Sequence, residues 1–507
     1  MLIDFVTKNK LKLLAGLILA CLAASAYLVL RLRSKPTETF AHFDDFAIST
    51  TTVCRITDYG ASSADDADNT QAIRRAIEDC SSRGGGQVVV PAGLWRTGPI
   101  QLKSRIDLHL DQDAKLSFSD RTEDYLPAVF TRFQGIEVMN YSSMIYAKDC
   151  ENIAITGPGR IDGHGRSWQS WKDKQLDEFP KLYEMAKNNV PVSERVFGDR
   201  QIGLRPSLIQ LISCHNVKLS GLNIENSPMW TIHPIYSENI LIDGITIDTE
   251  GPNSDGIVID SSSNVTVRNC LLETGDDSIS IKSGLDHDGR QVGRPSENIL
   301  IEDSRFTDGH SAIAIGSEMS GGVRNVLIRN LDISKIDQGI RIKSSPERGG
   351  RIENIRIEDI SMRNMENALF EISLDYESDT VVSSADNYYP VIRDIQLDRI
   401  SAYDVEYAIR IIGLDELPIQ GIRIDSFAAQ SVKGISLKNV RDISLKNISG
   451  ITVAPGSKLF NLENSHNVSI EHPSCDRECF NFSPKKSTDV IVRRNWFQKD
   501  TIDYPEK

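Results

Sequence analysis

Six side chains, spread over four short stretches of the chain, could together cleave a glycosidic bond. They are Asp255, Asp276, Asp277, His310, Arg341 and Lys343. Such cleavage needs one protonated acid that donates to the leaving oxygen and one ionised carboxylate that activates water or attacks directly. The adjacent acids Asp276 and Asp277, with Asp255 before them, supply candidates for both roles.

The charges of these side chains would shift one another's pKa values if the side chains lie close together. Repulsion among three carboxylates raises the pKa of at least one of them, which then keeps its proton. Arg341 and Lys343 act in the opposite direction and could bind the carboxylate of an acidic sugar. The formal net charge is −14, but diffuse charge is screened beyond about 8–10 Å, so two local cations outweigh it.

A repeat along the chain predicts how these residues are positioned. Asn or Asp followed by aliphatic, any residue and aliphatic recurs at Asn216, Asn239, Asn264, Asn298, Asn325 and Asn354. Where no loop intervenes, successive asparagines are 23, 25 or 27 residues apart. A second pattern, a small residue before the same aliphatic alternation, lies between them, so each coil carries at least two strands. A strand-only period of this size is typical of a β-solenoid, since one coil cannot bury its apolar face alone.

The predicted fold is therefore all-β: a single right-handed parallel β-helix over residues 46–500, with the asparagines at a bend where their amides can bond one another. Helical spacing from Asn69 to Ile77, with Asn69 as N-cap, predicts an N-terminal capping helix before a strand Gln87 to Val90. Beyond about Leu102 the chain is predicted to be strand and turn, apart from helical spacing at Leu176 to Lys187.

Stacking of the coils would place distant residues on one strip of surface. When the second pattern is aligned on its small residue, two sets of outward-facing positions line up from coil to coil. They are Val258, Ser280, Ala314 and Arg341, and Asp260, Lys282, Gly316 and Lys343. The three carboxylates and His310 precede the small residues, so the same strip collects both charge types in a cleft suited to an anionic sugar chain.

The N-terminus predicts export. Residues 1–10 are basic, residues 11–30 are apolar enough to span a bilayer or act as a signal segment, and residues 31–45 form a linker. Ala24-Ser25-Ala26 offers a cleavage site, the apolar run beyond it favours an uncleaved anchor, and lipidation at Cys21 is a third route. We expect the catalytic domain on the non-cytoplasmic side, in the periplasm or at the cell exterior, either membrane-anchored or secreted.

Other partners and cofactors are not expected. The chain has no long basic run, which argues against nucleic acid, and no paired CxxC motifs for zinc. Cys475 and Cys479 could close a small disulfide loop, and the pairing of Cys54 and Cys80 stays open. Buried inert thiols are expected at Cys150, Cys214 and Cys270. We expect a monomer without metal or other cofactor.

The motifs that carry these charged residues resemble those of a known family. The segments Asn253-Ser254-Asp255-Gly256, Gly275-Asp276-Asp277-Ser278, Gly309-His310-Ser311 and Arg341-Ile342-Lys343 resemble the polygalacturonases of glycoside hydrolase family 28, which share the pectin-lyase-like β-helix. Asn226-Ser227-Pro228-Met229-Trp230 extends the match. The chain departs at Ser254, Ser278 and Ser311, where the family usually has Thr, Cys and Gly. Of these, Ser311 adds a side chain near the acid.

The resemblance implies hydrolysis of galacturonate-containing polysaccharide or oligosaccharide with inversion. It implies that Asp276 is the general acid, that Asp255 and Asp277 activate water, and that His310 tunes the acid. Arg341 and Lys343 would hold the uronate beside the scissile bond. Lys282, Asn226 and Tyr376 are further candidates for substrate binding, with a turn role open for Asn226.

Two alternatives and the mode of attack stay open. A pectate lyase would use clustered Asp to hold Ca²⁺, and a saccharide-binding β-helix would need no acid or base. The insertion from Trp168 to Arg205 could close one end of the cleft, which would favour release from chain ends over internal cutting.

Overall fold

The architecture comes from a computed structural model. The structure describes residues 43, 45–48, 51–64, 67–199, 203–376, 388–448, 450–471, 473, 479–482, 487–495 and 498–501. Contacts divide the chain into Met1–Phe40 and Ala41–Lys507, and the described residues all belong to the second unit. The predicted segment at residues 11–30 lies outside them. Within the described part of the chain, no helix is both long and apolar enough to cross a bilayer.

Parallel strands stack coil upon coil in three columns. In one coil, His215–Ser220 lies in the first column, Asn223–Glu225 in the second and Ile232–Ile235 in the third, which we call the cleft column. Each strand pairs in parallel with its counterpart one coil further along. The predicted parallel β-helix is confirmed, with three strands in a full coil where the repeat required at least two.

The strand bounds follow the columns. The first column contains Val53–Arg55, Gly86–Val90, Ile106–Leu110, Glu151–Thr156, His215–Ser220, Glu238–Asp243 and Ser263–Arg268. The second contains Gly93–Thr97, Ala114–Phe118, Arg160–Asp162, Asn223–Glu225, Thr246–Asp248, Leu271–Glu273 and Gly450–Val453. The cleft column contains Ile100–Gln101, Ile145–Lys148, Ile209–Ile212, Ile232–Ile235, Ile257–Asp260, Ile279–Lys282, Ser311–Ile315, Gln338–Lys343 and Phe480–Phe482.

In later coils the strands run on through the bends from one column to the next. These long strands are Ser296–Asp308, Val323–Ser334, Arg351–Ser373, Val391–Ile412, Ile419–Lys446 and Phe460–Glu471. Thr488–Asn495 lies in the first column and pairs antiparallel with Gln498–Thr501. Short 3-10 helices lie at Ile56–Tyr59, Thr122–Tyr125 and Val192–Glu194.

The interior of the coil is built from the aliphatic alternation. Ile257 and Ile259 of one cleft-column strand, and Ile279 and Ile281 of the next, are 0% exposed. Alternate side chains of a strand point to opposite faces, so these isoleucines fill the coil while the residues between them face outward. Full burial of such a side chain contributes about 1.5–3 kcal/mol, which makes the stacked interior the main source of stability.

The asparagine column forms a continuous ladder at the bend before the first column. Asn239 Nδ2 donates to Asn216 Oδ1 at 3.0 Å, and Asn264 Nδ2 donates to Asn239 Oδ1 at 3.0 Å. The same bond continues through Asn298, Asn325 and Asn354. Each of these residues has a left-handed φ, as at Asn239 (60°), which asparagine tolerates better than most residues. The predicted bonding between amides is confirmed.

A helix closes the N-terminal end of the solenoid as predicted. It spans Thr70–Ser82 and buries Ala72, Ile73, Ala76, Ile77 and Cys80 against the first strands. Asn69 lies at the predicted N-cap position but makes no side-chain cap bond, because its Oδ1, the atom that could accept one, accepts from Ser62 N at 2.8 Å instead. Asp68 Oδ1 accepts from Thr70 N at 2.9 Å.

Inserted elements cover one end of the cleft column. They are an antiparallel hairpin, Val129–Phe133 with Ile136–Asn140, and the helices Arg166–Gln169, Trp171–Lys187 and Asp286–Val292. The helix expected at Leu176 to Lys187 is confirmed and begins five residues earlier, at Trp171.

The expectation of only strand and turn elsewhere was wrong at Asp286–Val292. This short helix carries acids and Gly289 in place of an apolar stripe. Distant partners hold it: Arg348 donates to Asp286 at 2.7 Å and Arg195 to Asp288 at 2.6 Å. Local sequence carries no sign of such contacts.

The described cysteines are mostly buried thiols. The free, buried ones are Cys54, Cys80, Cys150, Cys214 and Cys270. Cys479 is disulfide-bonded, and Cys475, the candidate partner, lies outside the described residues. The prediction of buried thiols at Cys150, Cys214 and Cys270 is confirmed, and Cys54 and Cys80 are not paired.

Candidate active site

The outward face of the cleft column brings residues from four coils onto one strip. Val258 aligns with Ser280, Ser280 with Ala314, and Ala314 with Arg341. This is the column that the repeat predicted. Because neighbouring strands are about 4.8 Å apart, these positions all lie within reach of one sugar chain.

A cleft of about 240 Å³ opens on this strip. Its lining residues are Gln134, Lys172, Trp230, Asn253, Asp255, Asp276, Asp277, Lys282, His310, Ser317, Glu318, Arg341, Lys343 and Tyr376. Eight of the nine predicted site residues line it, and Asn226 is the exception. Five polar residues that were not predicted as site residues also line it: Gln134, Lys172, Asn253, Ser317 and Glu318.

Three carboxylates form the centre of the cleft. One oxygen from each of Asp255, Asp276 and Asp277 lies within 4.8 Å of the other two. The Asp276 side chain is 18% exposed, the Asp277 side chain only 2% and Asp255 3%. Asp276 is therefore the most open to the cleft, whereas Asp255 and Asp277 form its floor.

The two buried carboxylates meet at Ser280. Ser280 Oγ donates to Asp255 Oδ2 at 2.6 Å and lies 3.5 Å from Asp277 Oδ2. Asp277 Oδ2 also accepts from Lys343 Nζ at 2.8 Å. Asp277 Oδ1 is buried and has no hydrogen-bond partner within the described part of the chain. Buried polar atoms are normally paired with protein or ordered water, so this oxygen is a position where water can bind.

The environment pushes the pKa values of the carboxyls apart. Burial and the nearby charge of Asp276 raise the pKa of Asp255 well above its ordinary value. Burial acts the same way on Asp276, but hydrogen bonding to His310 and the charge of Lys343 outweigh it and hold the pKa of Asp276 far below its ordinary value. One pKa rises as predicted, but it belongs to Asp255, whereas the resemblance assigns the acid to Asp276.

His310 lies beside the exposed acid. Its Nδ1 is 3.6 Å from Asp276 Oδ1 and its Nε2 is 3.9 Å from Asp337 Oδ2. Hydrogen bonding to Asp276 raises the pKa of His310 to about 9. The imidazole is therefore cationic at neutral pH. Asp337 was not predicted.

Two cations and an aromatic ring form one side of the cleft. The Arg341 guanidinium carbon is 5.0 Å from the centre of the Tyr376 ring, and Lys343 Nζ is 5.4 Å from it. Cations at this distance over a ring are attracted to its face. The predicted pair Arg341 and Lys343 therefore lies together, with the ring of Tyr376 beside them.

Lys282 has a buried partner that sequence analysis missed. Its Nζ donates to Glu318 Oε2 at 2.7 Å and lies 5.1 Å from the centre of the Trp230 ring. Burial lowers the pKa of Lys282, but the charges of Glu318 and Asp255 together raise it. Glu318 lies in the loop after a cleft-column strand, where the repeat carries no information.

Asn226, a candidate for substrate binding with a turn role left open, lies outside the cleft. Asn226 does not line the cleft, and its Nδ2 donates to Asp162 Oδ1 at 3.0 Å. Its φ is 53°, a value that asparagine adopts in turns. The residue shapes the bend two coils before Asp276 and so has the turn role.

The hairpin covers the cleft column on the N-terminal side of the cleft. Thr131 Oγ1 donates to Gln210 Oε1 at 2.6 Å, and Arg132 forms an ion pair with Asp260 at 2.8 Å with both side chains 0% exposed. Gln210 and His233, which face outward on the preceding coils, are fully buried as a result. The cleft therefore ends at this side, and Gln134, at the hairpin turn, lines it.

Buried Arg205 joins the insertion to the loop before Asp255. It donates to Gln175 Oε1 at 3.1 Å, to Pro252 O at 2.9 Å and to Asn253 Oδ1 at 2.7 Å. Asn253 N in turn donates to Asp276 Oδ2 at 3.1 Å. This chain of bonds fixes the exposed acid relative to the insertion helix.

The surroundings of the three carboxylates do not favour a bound metal cation. Their oxygens are spaced closely enough for an ion, but Lys343 already donates to Asp277. Lys282 adds a second buried ammonium close by. Positive charge is thus supplied by the protein itself.

The cleft lies on a parallel β-helix and contains candidates for an acid and a base. This combination is typical of an enzyme that processes polysaccharide. A family model described as glycosyl hydrolases family 28 matches residues 198–447. A "probable polygalacturonase" from Vitis vinifera is 33% identical over 409 residues, which are 77% of this chain and 77% of that protein. The chain belongs to glycosyl hydrolases family 28, so it is a glycoside hydrolase, and the predicted membership is confirmed.

Other similar proteins include an exo-poly-alpha-D-galacturonosidase from Dickeya chrysanthemi. It is 31% identical over 66% of this chain, and the match spans 60% of that protein. Among solved structures, a hyperthermoactive exopolygalacturonase from Thermotoga maritima is 36% identical with a TM-score of 0.75, over 91% of this chain and 96% of that one. The family 28 exopolygalacturonase of Yersinia enterocolitica, at 22% identity and a TM-score of 0.66 over 87% of this chain and 78% of that one, shares the fold.

Proposed function

We propose that this glycoside hydrolase cleaves α-1,4-galacturonosidic bonds in pectic polysaccharide or oligogalacturonides. The observation that carries the proposal is the exposed acid Asp276 lying in one cleft with Arg341 and Lys343. A neutral sugar would have no use for two cations, whereas a uronate carboxylate can pair with both. The polygalacturonase names of the relatives support the same substrate class.

Asp276 donates the proton to the leaving oxygen. It is the most exposed carboxylate of the three, and His310 lies 3.6 Å from it on the cleft side. In the free protein, His310 and Lys343 keep it ionised. A bound uronate offsets the charge of Lys343, which raises the pKa of Asp276 and prepares it to carry a proton.

Asp255 and Asp277 hold the attacking water, and Asp277 takes its proton as the water oxygen bonds to the anomeric carbon. The unpartnered Asp277 Oδ1 offers it an acceptor, and Ser280 keeps the two carboxylates facing one another. Their oxygens lie within 4.8 Å of the acid, which is closer than the roughly 6.5–9.5 Å typical of inverting enzymes. The proposed inversion rests instead on direct attack by this water on the face of the sugar opposite the leaving oxygen.

The closed side of the cleft favours attack at chain ends. The hairpin buries Gln210 and His233, so a sugar chain cannot continue over the earlier coils. The chain would enter with one terminus against Gln134 and Trp230 and leave over the later coils. The exo-acting names of two relatives support this mode.

We also propose export, on the sequence alone. Residues 11–30 form an apolar segment with lysines before it, which suits an anchor or a signal segment. A bulky pectic substrate would be met outside the cytoplasm. Fractionation of cells that express the full chain, with N-terminal sequencing of the product, distinguishes an anchor from a cleaved signal and would reject both if the intact chain is cytoplasmic.

The function is tested by incubating the protein with polygalacturonate, rhamnogalacturonan, xylogalacturonan and oligogalacturonides. We expect new reducing ends from polygalacturonate, no ultraviolet-absorbing unsaturated product, no effect of chelator, and no release by Asp276→Asn. Unsaturated products that vanish with chelator would identify a lyase. Binding without product from any substrate would identify a saccharide-binding protein.

A further inference from the structure

The outward face of the cleft column carries further charged side chains beyond Arg341. Arg341 aligns with Glu371 one coil further on, and Glu371 aligns with Arg410 on the coil after that. All three point outward from the cleft column, as their register with Arg341 requires. Arg341 and Arg410 are therefore about 10 Å apart along the solenoid, at roughly 4.8 Å per coil.

Glu371 links the two guanidinium groups. Arg410 Nη1 donates to Glu371 Oε1 at 2.6 Å, and Arg341 Nε lies 3.8 Å from Glu371 Oε2. The Glu371 side chain is only 2% exposed, whereas that of Arg410 is 36% exposed and that of Arg341 21%. The buried carboxylate holds Arg410 in orientation through a hydrogen bond and attracts Arg341, because an unpaired buried charge would be costly.

The charges of this triad do not cancel. One carboxylate faces two guanidinium groups, so a single positive charge is left over, and it lies at the surface on the open side of the cleft. Further along the same column, Lys438 is 3.4 Å from Glu463 and has a carboxylate of its own. Arg410 uses Nη1 to donate to Glu371, and at 36% exposure its side chain can present the other guanidinium N–H groups to a ligand.

We propose that Arg410 forms a second uronate-binding subsite, which holds a galacturonate unit distal to the one held by Arg341 and Lys343. Glu371 is its positioning residue. The inference rests on the proposed function and adds a substrate preference to it. The enzyme favours chains long enough to reach from the carboxylates across two further coils.

The chain supplies a matched control in the same strand. Arg393 lies with Arg410 in Val391–Ile412. It donates to Glu353 of the preceding coil at 2.6 Å, the same distance as between Arg410 and Glu371. It lies in the first column, on another face of the coil. Arg393→Gln therefore removes an arginine–glutamate pair of the same length away from the cleft column, with a carboxylate that is 23% exposed where Glu371 is 2% exposed.

The test is the steady-state kinetics of the full chain, Arg410→Gln, Arg410→Lys and Arg393→Gln on oligogalacturonates of increasing length. For long oligomers we expect Arg410→Gln to raise KM about tenfold, the loss of one charge-assisted hydrogen bond, with kcat kept. For the shortest cleaved oligomer we expect no change. Arg410→Lys should restore part of the length preference, and Arg393→Gln should match the unmodified protein.

Each remaining outcome overturns the inference. Equal KM values for Arg410→Gln and Arg393→Gln at every length would show that no distal subsite exists. A KM increase that is the same for short and long oligomers would assign Arg410 a structural role. An unmodified protein that cleaves no oligogalacturonate would reject the proposed function and the subsite with it, whereas the first two results leave the proposed function standing.

Discussion

Lys343 Nζ lies 2.8 Å from Asp277 Oδ2, with side-chain exposures of 10% and 2%. The two residues are 66 positions apart in sequence, and the stacking of coils alone brings them together. The ammonium neutralises a carboxylate in the cleft floor. It also lies over Tyr376, where a substrate uronate would compete for it.

Replacing this lysine should therefore damage stability as well as activity. Lys343→Met leaves Asp277 buried without its partner, and breaking a buried pair in this way costs about 3–5 kcal/mol. Urea unfolding measures the loss. Lys433→Met, which breaks the exposed pair with Glu406, is the control and should change little. Equal stabilities for the two variants would contradict the structural role of Lys343.

The raised pKa of His310 predicts a pH-dependent contribution to stability. The folded pKa of about 9 exceeds the ordinary 6.5, so protonation favours the folded state. The contribution is fully present below pH 6.5 and is lost as pH rises through about 9. The unfolding free energy of the unmodified protein minus that of His310→Asn should follow this course. A difference that grows above pH 7 would show that the imidazole is not stabilised as a cation.

The same imidazole predicts the pH range of catalysis. Asp276 must carry a proton to act as the acid, and hydrogen bonding to His310 lowers its pKa. His310→Asn should therefore move the alkaline limb of kcat/KM on polygalacturonate to higher pH. An alkaline limb at the same pH in the variant would assign it to another group.

The sizes of the products released over time test whether the closed side of the cleft restricts the enzyme to chain ends. Since the hairpin buries Gln210 and His233, polygalacturonate should yield one short product from the first minutes onward. Chromatography of an early time course, with an endo-acting polygalacturonase as reference, measures this. An early ladder of mixed oligomers would refute attack at chain ends.

The position of the water predicts the stereochemistry. Direct attack by a water at Asp277 Oδ1 on an α-linkage gives a β-anomer as the first product. Proton NMR of fresh digests, recorded before mutarotation, distinguishes the anomers. A first-formed α-anomer would mean that a carboxylate of the cluster attacks the sugar directly, as the short spacing of the oxygens would suit.

Much of this site could be predicted from periodicity, because in a solenoid residues that are one coil apart in sequence lie next to each other in space. The alignment of Ser280 with Ala314 and Arg341 follows from the aliphatic alternation alone. The bonded asparagines, such as Asn239 and Asn264, follow from the same count. Arg410 also stands at the outward position of the second pattern, so the signal for the extended strip was present beyond Arg341.

Periodicity could not predict the contacts that loops make or the effects of burial. Glu318, which pairs with Lys282, follows a strand at a place where coil length varies. The hairpin residue Arg132 meets Asp260 across 128 positions, and no local pattern predicts which loops meet. The raised pKa of Asp255 depends mainly on burial, which sequence spacing does not express.

The most direct test of the account is the kinetics of Asp276→Asn on oligogalacturonates, with Asp248→Asn, an exposed acid of the second column, as control. Loss of a general acid should lower kcat about 10²–10⁴-fold while binding of the oligomer, measured by calorimetry, is kept. Asp248→Asn should retain full activity. A kcat for Asp276→Asn within a few-fold of the unmodified enzyme would contradict the central role of the stacked carboxylates.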